Sequence, residues 1–145
     1  MRVSPHIQDY EVMCPWTREI KLIYWIINLF ESVRNEIGCP IFITSGYRSR
    51  QYQKHLTEIN PYAVDLSPHP EGAALDMHIP INHDPVELAL KFQEHSQKLG
   101  YGICRYGLEK YGFHFLHVDI IYMLFTPWTN VENPKPSLWR EGVTW

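Results

Sequence analysis

The sequence predicts an α+β domain in which helices back a small antiparallel sheet. Three features carry that expectation: a helical apolar repeat in the first third, short strand-like runs bounded by turn residues, and a later helix with a strong start signal. In order along the chain the candidate elements run α-β-α-β-α-β-β.

Residues 17–37 are the first predicted helix. Thr17 is its candidate N-cap, and Ile20, Ile23, Ile26, Ile27, Phe30, Val33 and Ile37 recur at helical spacing. Gly38 and Pro40 supply the stop. Ile41–Thr44 reads as a short buried strand ended by Ser45 and Gly46. Residues 48–58 read as a polar helix, and the proline-bearing stretch from Asn60 to Pro70 as a loop. Ala73–Ile79 is the second strand candidate. Asp84 then caps a helix with Pro85 at its first position and Glu87 three residues after the cap, running to about Leu99 and Gly100. Tyr101–Tyr106 and Phe113–Ile121 read as paired strands around a turn at residues 107–112.

A chain of 145 residues is the size of one domain. The expected division is a domain over residues 1–125 and a tail over 126–145 packed on it, because Trp128, Trp139 and Trp145 would be costly to expose. Hydrophobic residues at 45% and charged residues at 20% exclude wholesale disorder. A net charge of −3 gives no electrostatic footprint for nucleic acid. Three widely spaced cysteines (Cys14, Cys39 and Cys104) suit neither a disulfide framework nor a cysteine zinc knuckle. The most apolar run, Leu22–Phe30, is far short of the ~20 residues a membrane span needs. The N-terminus lacks the apolar core of a signal peptide, so synthesis in the cytoplasm is expected, and no membrane partner.

Eight histidines stand out. His69, Asp76 and His117 could hold zinc if strand 73–79 pairs beside strand 113–121, since two imidazoles and a carboxylate leave a fourth position open for chemistry. Otherwise they make ordinary hydrogen bonds. His78 shares a strand face with Asp76. His6, His55, His83 and His95 are expected to be solvated, and Cys104 to be a buried packing residue.

Ser67-x-His69-x-x-Gly72-x-Ala74-x-Asp76 resembles the SxHxxGxAxD signature of the zinc D-alanyl-D-alanine carboxypeptidases. That family includes phage L-alanyl-D-glutamate endolysins and VanX-type dipeptidases, and shares its fold with the hedgehog signalling domain. Thr44–Ser49 resembles the family's upstream SGYRS segment, and Phe115–Asp119 its closing strand. The resemblance spans residues 40–121 and extends weakly to Ser4–Met13. It implies a hedgehog/D-Ala-D-Ala peptidase-like fold, with His69, Asp76 and His117 as Zn2+ ligands. Arg48 is implied to hold the substrate carbonyl or carboxylate and to stabilise the oxyanion; an ion pair at a helix start is its alternative role. Ser67 would order the His69 loop or contact substrate. Gly72 and Ala74 would let backbone pass close beneath the metal.

One departure from the family pattern stands out. Relatives place an acidic general base three residues before the last ligand, or slightly further upstream. Here the first position is His114, whose imidazole could accept a proton near neutral pH. On a regular strand His114 and His117 face opposite ways, so Glu109 is the other candidate. Asp119 either orients His117 through its second ring nitrogen or caps the strand.

The implied function is a zinc-dependent metallopeptidase acting on peptidoglycan stem peptides, as a D-Ala-D-Ala carboxypeptidase or an L-Ala-D-Glu endopeptidase of the endolysin type. The alternatives are a non-catalytic zinc- or peptide-binding module on the same fold and a VanX-like dipeptidase. The implied partner is a peptidoglycan peptide met by a monomer at the cell wall, reached through a holin or another export route.

Overall fold

The apolar alternation of two central strands organises the molecule. In the computed structural model, residues 1–59, 67–101 and 115–120 are described, together with the backbone of 105–108. The described chain contains β1 (Arg2–Ser4), β2 (Ile7–Gln8), α1 (Asp9–Val12), α2 (Tyr24–Ile37), β3 (Ile43–Ser45), α3 (Arg50–Ile59), β4 (Ala74–His78), α4 (Pro85–Lys98), β5 (Arg105–Leu108) and β6 (Phe115–Asp119). Most of the predicted 60–70 loop, the 109–112 turn, Cys104 and the 126–145 tail lie outside the described residues.

Four strands form an antiparallel sheet in the order β3-β4-β6-β5. β4 and β6 pair with Ala74 opposite Asp119, Asp76 opposite His117 and His78 opposite Phe115. Side chains alternate across a strand, so Leu75, Met77, Leu116 and Val118 share one face. They are buried in the core with Ile26, Leu29, Phe30 and Val33 of α2 and Leu88, Ala89 and Phe92 of α4. The opposite face carries Asp76, His117 and Asp119. The fold is the expected α+β arrangement, a small antiparallel sheet backed by helices.

Asp84 caps α4 as predicted, its carboxylate accepting from the backbone N–H of Val86 at 2.8 Å and of Glu87 at 3.0 Å. Gly38 ends α2 in the left-handed conformation at φ 69°. Gly107 and Leu108, predicted as turn, belong to β5, because pairing with β6 continues to Leu108 opposite Leu116.

The helix predicted over residues 17–37 is α2, which begins at Tyr24 and not at residue 17. Thr17 accepts from the N–H of Glu19 at 3.2 Å instead of capping a helix, and Arg18 has a positive φ of 58°. Residues 18–23 cross a 3-10 turn at His69–Glu71, where the N–H of Ile23 donates to the Gly72 carbonyl at 2.9 Å. This tertiary contact overrides the helical repeat there. The β1–β2 hairpin and α1 carried no periodic signal. Glu31 of α2 ties the hairpin down, accepting from the Ser4 hydroxyl, the His6 N–H at 2.8 Å and the His6 ring at 2.6 Å.

His95 is buried, not solvated as its sequence context suggested. Its Nδ1 lies 2.6 Å from Ser32 Oγ, between α2 and α4. His83 and Cys39 meet at 3.4 Å, and His55 packs on Trp16. Among the described residues no helix is long and apolar enough to cross a membrane.

Candidate metal centre

Three segments distant in sequence converge on the face opposite the core. β4 supplies Asp76, β6 supplies His117, and the 3-10 turn supplies His69. One ligand atom from each lies within 4.8 Å of the others, and all three residues are buried.

His69 is completely buried, and its tautomer follows from its partners. Nδ1 lies 2.7 Å from the Gly46 carbonyl, which can only accept, so Nδ1 carries the proton. Burial is the main influence on the ring and lowers its pKa, keeping it neutral. Nε2 therefore presents a lone pair to the centre. It is buried without a hydrogen-bond partner, and 3.2 Å away stands Asp76 Oδ2. A lone pair facing a carboxylate oxygen is unfavourable unless a cation lies between them.

His117 sits between two carboxylates. Its Nδ1 is 2.7 Å from Asp76 Oδ1 and its Nε2 is 2.8 Å from Asp119 Oδ2. Burial opposes charge on the ring, but the bonds to Asp119 and Asp76 outweigh it and raise the pKa. Burial likewise opposes charge on Asp76, yet the bond from His117 holds its carboxyl well below the usual range. With a metal at Nδ1, the Nε2–H would remain on Asp119, the arrangement that orients ligand histidines.

Arg48 leans onto this group. Its Nη2 donates to Asp76 Oδ2 at 2.9 Å, Nε to Ser45 Oγ at 2.9 Å and Nη1 to Gln53 Oε1 at 3.1 Å. Its ion pair is thus with the centre and not with a helix start. Among the described residues, two of the five guanidinium N–H groups are uncommitted.

Ser67 is buried and its hydroxyl accepts from the His69 N–H at 3.2 Å, ordering the loop. Gly72 has a different reason from the one expected. It adopts φ +69°, and a Cβ there would lie 2.1 Å from the Lys21 carbonyl oxygen, so the close approach is to the 18–23 segment. Ala74 lies on the strand face of Asp76, opposite Asp119. His78 is exposed and packs on Phe115 with ring centroids 4.4 Å apart. His114 and Glu109, the two candidate bases, lie outside the described residues.

Sequence reasoning missed Gly46 and Gln53. Gly46 holds His69 through a backbone carbonyl, and a Cβ there would come within 2.7 Å of Val12 Cβ. Its signal was the glycine itself, two residues before Arg48 in the upstream motif. Gln53 is buried on an otherwise polar helix, and nothing in the linear sequence marks it.

The set fits a divalent cation: an inward lone pair, an anionic carboxylate and a second imidazole, with no thiolate. A family model described as Peptidase M15 matches residues 11–119, a span that holds all three candidate ligands and Arg48. No curated protein and no solved structure matches the chain. The chain belongs to the Peptidase M15 family, a family of metallopeptidases.

Proposed function

We propose that this protein is a zinc-dependent peptidase that hydrolyses peptidoglycan stem peptides at the cell wall, with His69, Asp76 and His117 as metal ligands. The observation that carries the reading is the inward, partnerless Nε2 of fully buried His69 beside the Asp76 carboxylate. Two imidazoles and one carboxylate are a donor set of catalytic zinc sites. When bound, zinc supplies Lewis acidity, polarising the scissile carbonyl and acidifying water.

The chain's own residues do the rest. Gly46 and Asp119 fix the two rings, so neither imidazole rotates as charge develops. Arg48, held by Ser45, Gln53 and Asp76, offers its remaining N–H groups to the substrate oxygen that becomes negative. The proton released by the attacking water passes to His114, or alternatively to Glu109.

Metal titration should give one zinc per chain, and His69→Ala should lose it while keeping a cooperative unfolding transition. Digestion of purified peptidoglycan by the zinc-loaded protein should release new termini, whose identity separates a D-Ala-D-Ala carboxypeptidase from an L-Ala-D-Glu endopeptidase. His114→Ala and Glu109→Ala, each checked for bound zinc, assign the base. Zinc binding without new termini would make the protein a non-catalytic module.

A further inference from the structure

A groove of about 770 Å³ lies next to the metal centre along the chain, and nothing in the reaction described above uses it. Its lining includes Pro70, which follows His69, and Tyr47 and Ser49, which flank Arg48. Trp16 also lines it, packing at tilted angles on Tyr52 and His55, with centroids 5.4 and 4.8 Å away, and it is still 54% exposed.

The charges in this groove are already matched. Lys21 Nζ lies 3.4 Å from Glu19 Oε2 and 5.6 Å from the centre of the Tyr47 ring. Arg50 pairs with Glu71. No uncompensated cation among these residues calls for a carboxylate ligand. What remains is an indole face edged by neutral and paired polar groups. That combination suits a pyranose ring, whose C–H face packs on an aromatic while its hydroxyls and amide reach polar side chains.

We propose that this groove binds a sugar of the glycan strand to which the stem peptide is attached, with Trp16 as its platform. The inference rests on the stem-peptide reading and narrows its substrate from a free peptide to a glycan-linked one. In peptidoglycan the sugar joins the L-Ala end of the stem. With the sugar in a groove bounded by Pro70 and by the residues that flank Arg48, the L-Ala–D-Glu bond is the stem-peptide bond nearest to the sugar. The D-Ala–D-Ala bond lies three residues further on, roughly 10 Å in extended chain.

The test titrates the zinc-loaded full chain with a β-1,4-linked N-acetylglucosamine tetrasaccharide, followed by NMR. The expected result is shifts at the Trp16 indole and at the backbone of Thr17, Glu19 and Arg50. Trp16→Ala should weaken binding about three- to tenfold, and Trp16→Phe should restore most of it. In turnover, the ratio of KM for the free stem peptide to KM for the sugar-linked one should fall toward one in Trp16→Ala. Absence of shifts at these residues, or undiminished affinity in Trp16→Ala, overturns the proposal. Binding is read without turnover, so its failure leaves the peptidase reading standing, and an inactive protein leaves the binding result standing.

Discussion

Gly72→Ala measures how much of the metal centre depends on one close backbone approach. Gly72 sits at φ +69°, where a side chain costs about 1–2 kcal/mol. The added Cβ would lie 2.1 Å from the Lys21 carbonyl oxygen and 3.1 Å from Leu22 Cα, so the turn or the 18–23 segment must move. That movement strains the bond from the Ile23 N–H to the Gly72 carbonyl, worth about 0.5–1.5 kcal/mol. Together the terms give about 1.5–3.5 kcal/mol, or a fall in Tm of roughly 5–15 °C for a chain of this size. Gly38 is the control. It has the same φ of +69° but nothing within 4 Å of its would-be Cβ, so Gly38→Ala should cost only the conformational part, about 1–2 kcal/mol. The assay is urea unfolding of both variants, with zinc affinity measured alongside. Gly72→Ala should also weaken zinc binding, because the displaced turn carries His69. Equal cost in the two variants would refute the close-approach argument.

Arg48→Lys retains charge but loses the planar fork, so turnover on stem peptides should fall roughly 10²-fold at unchanged zinc content; wild-type turnover would leave Arg48 a purely structural role. Asp119→Asn removes the anionic acceptor at His117 Nε2 and should weaken zinc affinity about 10- to 100-fold, read by competition with a chelator. Glu31→Gln should destabilise the protein by about 1–2 kcal/mol at pH 7. Burial raises the Glu31 pKa, but bonds from Ser4 and His6 outweigh it and the net shift is downward. The stability this carboxylate contributes is therefore complete above the unfolded value of ~4.3 and is lost as pH falls through the lower folded value. The urea midpoint of Glu31→Gln should accordingly decline less between pH 7 and pH 3 than that of the natural protein.

The elements legible in the sequence are those whose signal is local. Asp84-Pro85 announces α4 because the cap bonds close within three residues, and Gly38 ends α2 because the left-handed turn needs no partner. Residues 17–23 misled because Ile20 and Ile23 fit a helical repeat, while a distant backbone, that of Gly72, takes the Ile23 N–H. The β1–β2 hairpin is held by Glu31, a residue of another element, and two- and three-residue strands are too short for alternation to show. In the centre, the candidate ligands could be read from spacing and resemblance. The carbonyl of Gly46 could not, since a backbone acceptor leaves no mark on residue identity. His95 was misjudged for a related reason: a histidine in the last turn of a helix looks solvated until the packing of α2 against α4 covers it.

The geometry of the centre is a consequence of the core. Asp76 stands opposite His117 because β4 and β6 pair in one register, and that register is set from the other face. Leu75 and Met77 on β4, with Leu116 and Val118 on β6, are buried against α2 and α4. A slip of β4 by one residue would turn Leu75 and Met77 to the polar side and bring Asp76 into the apolar layer, away from His117, at a cost of several kcal/mol. The hydrophobic face therefore selects which carboxylate meets which imidazole before any metal binds. His69 is positioned differently, by the Ser67 hydroxyl on its N–H, the Gly46 carbonyl on its ring and the close approach at Gly72. Two ligands belong to the rigid sheet and one to a pinned turn. Metal removal should then loosen the turn around His69 first and leave the β4–β6 pair intact, which amide exchange with and without chelator would resolve residue by residue.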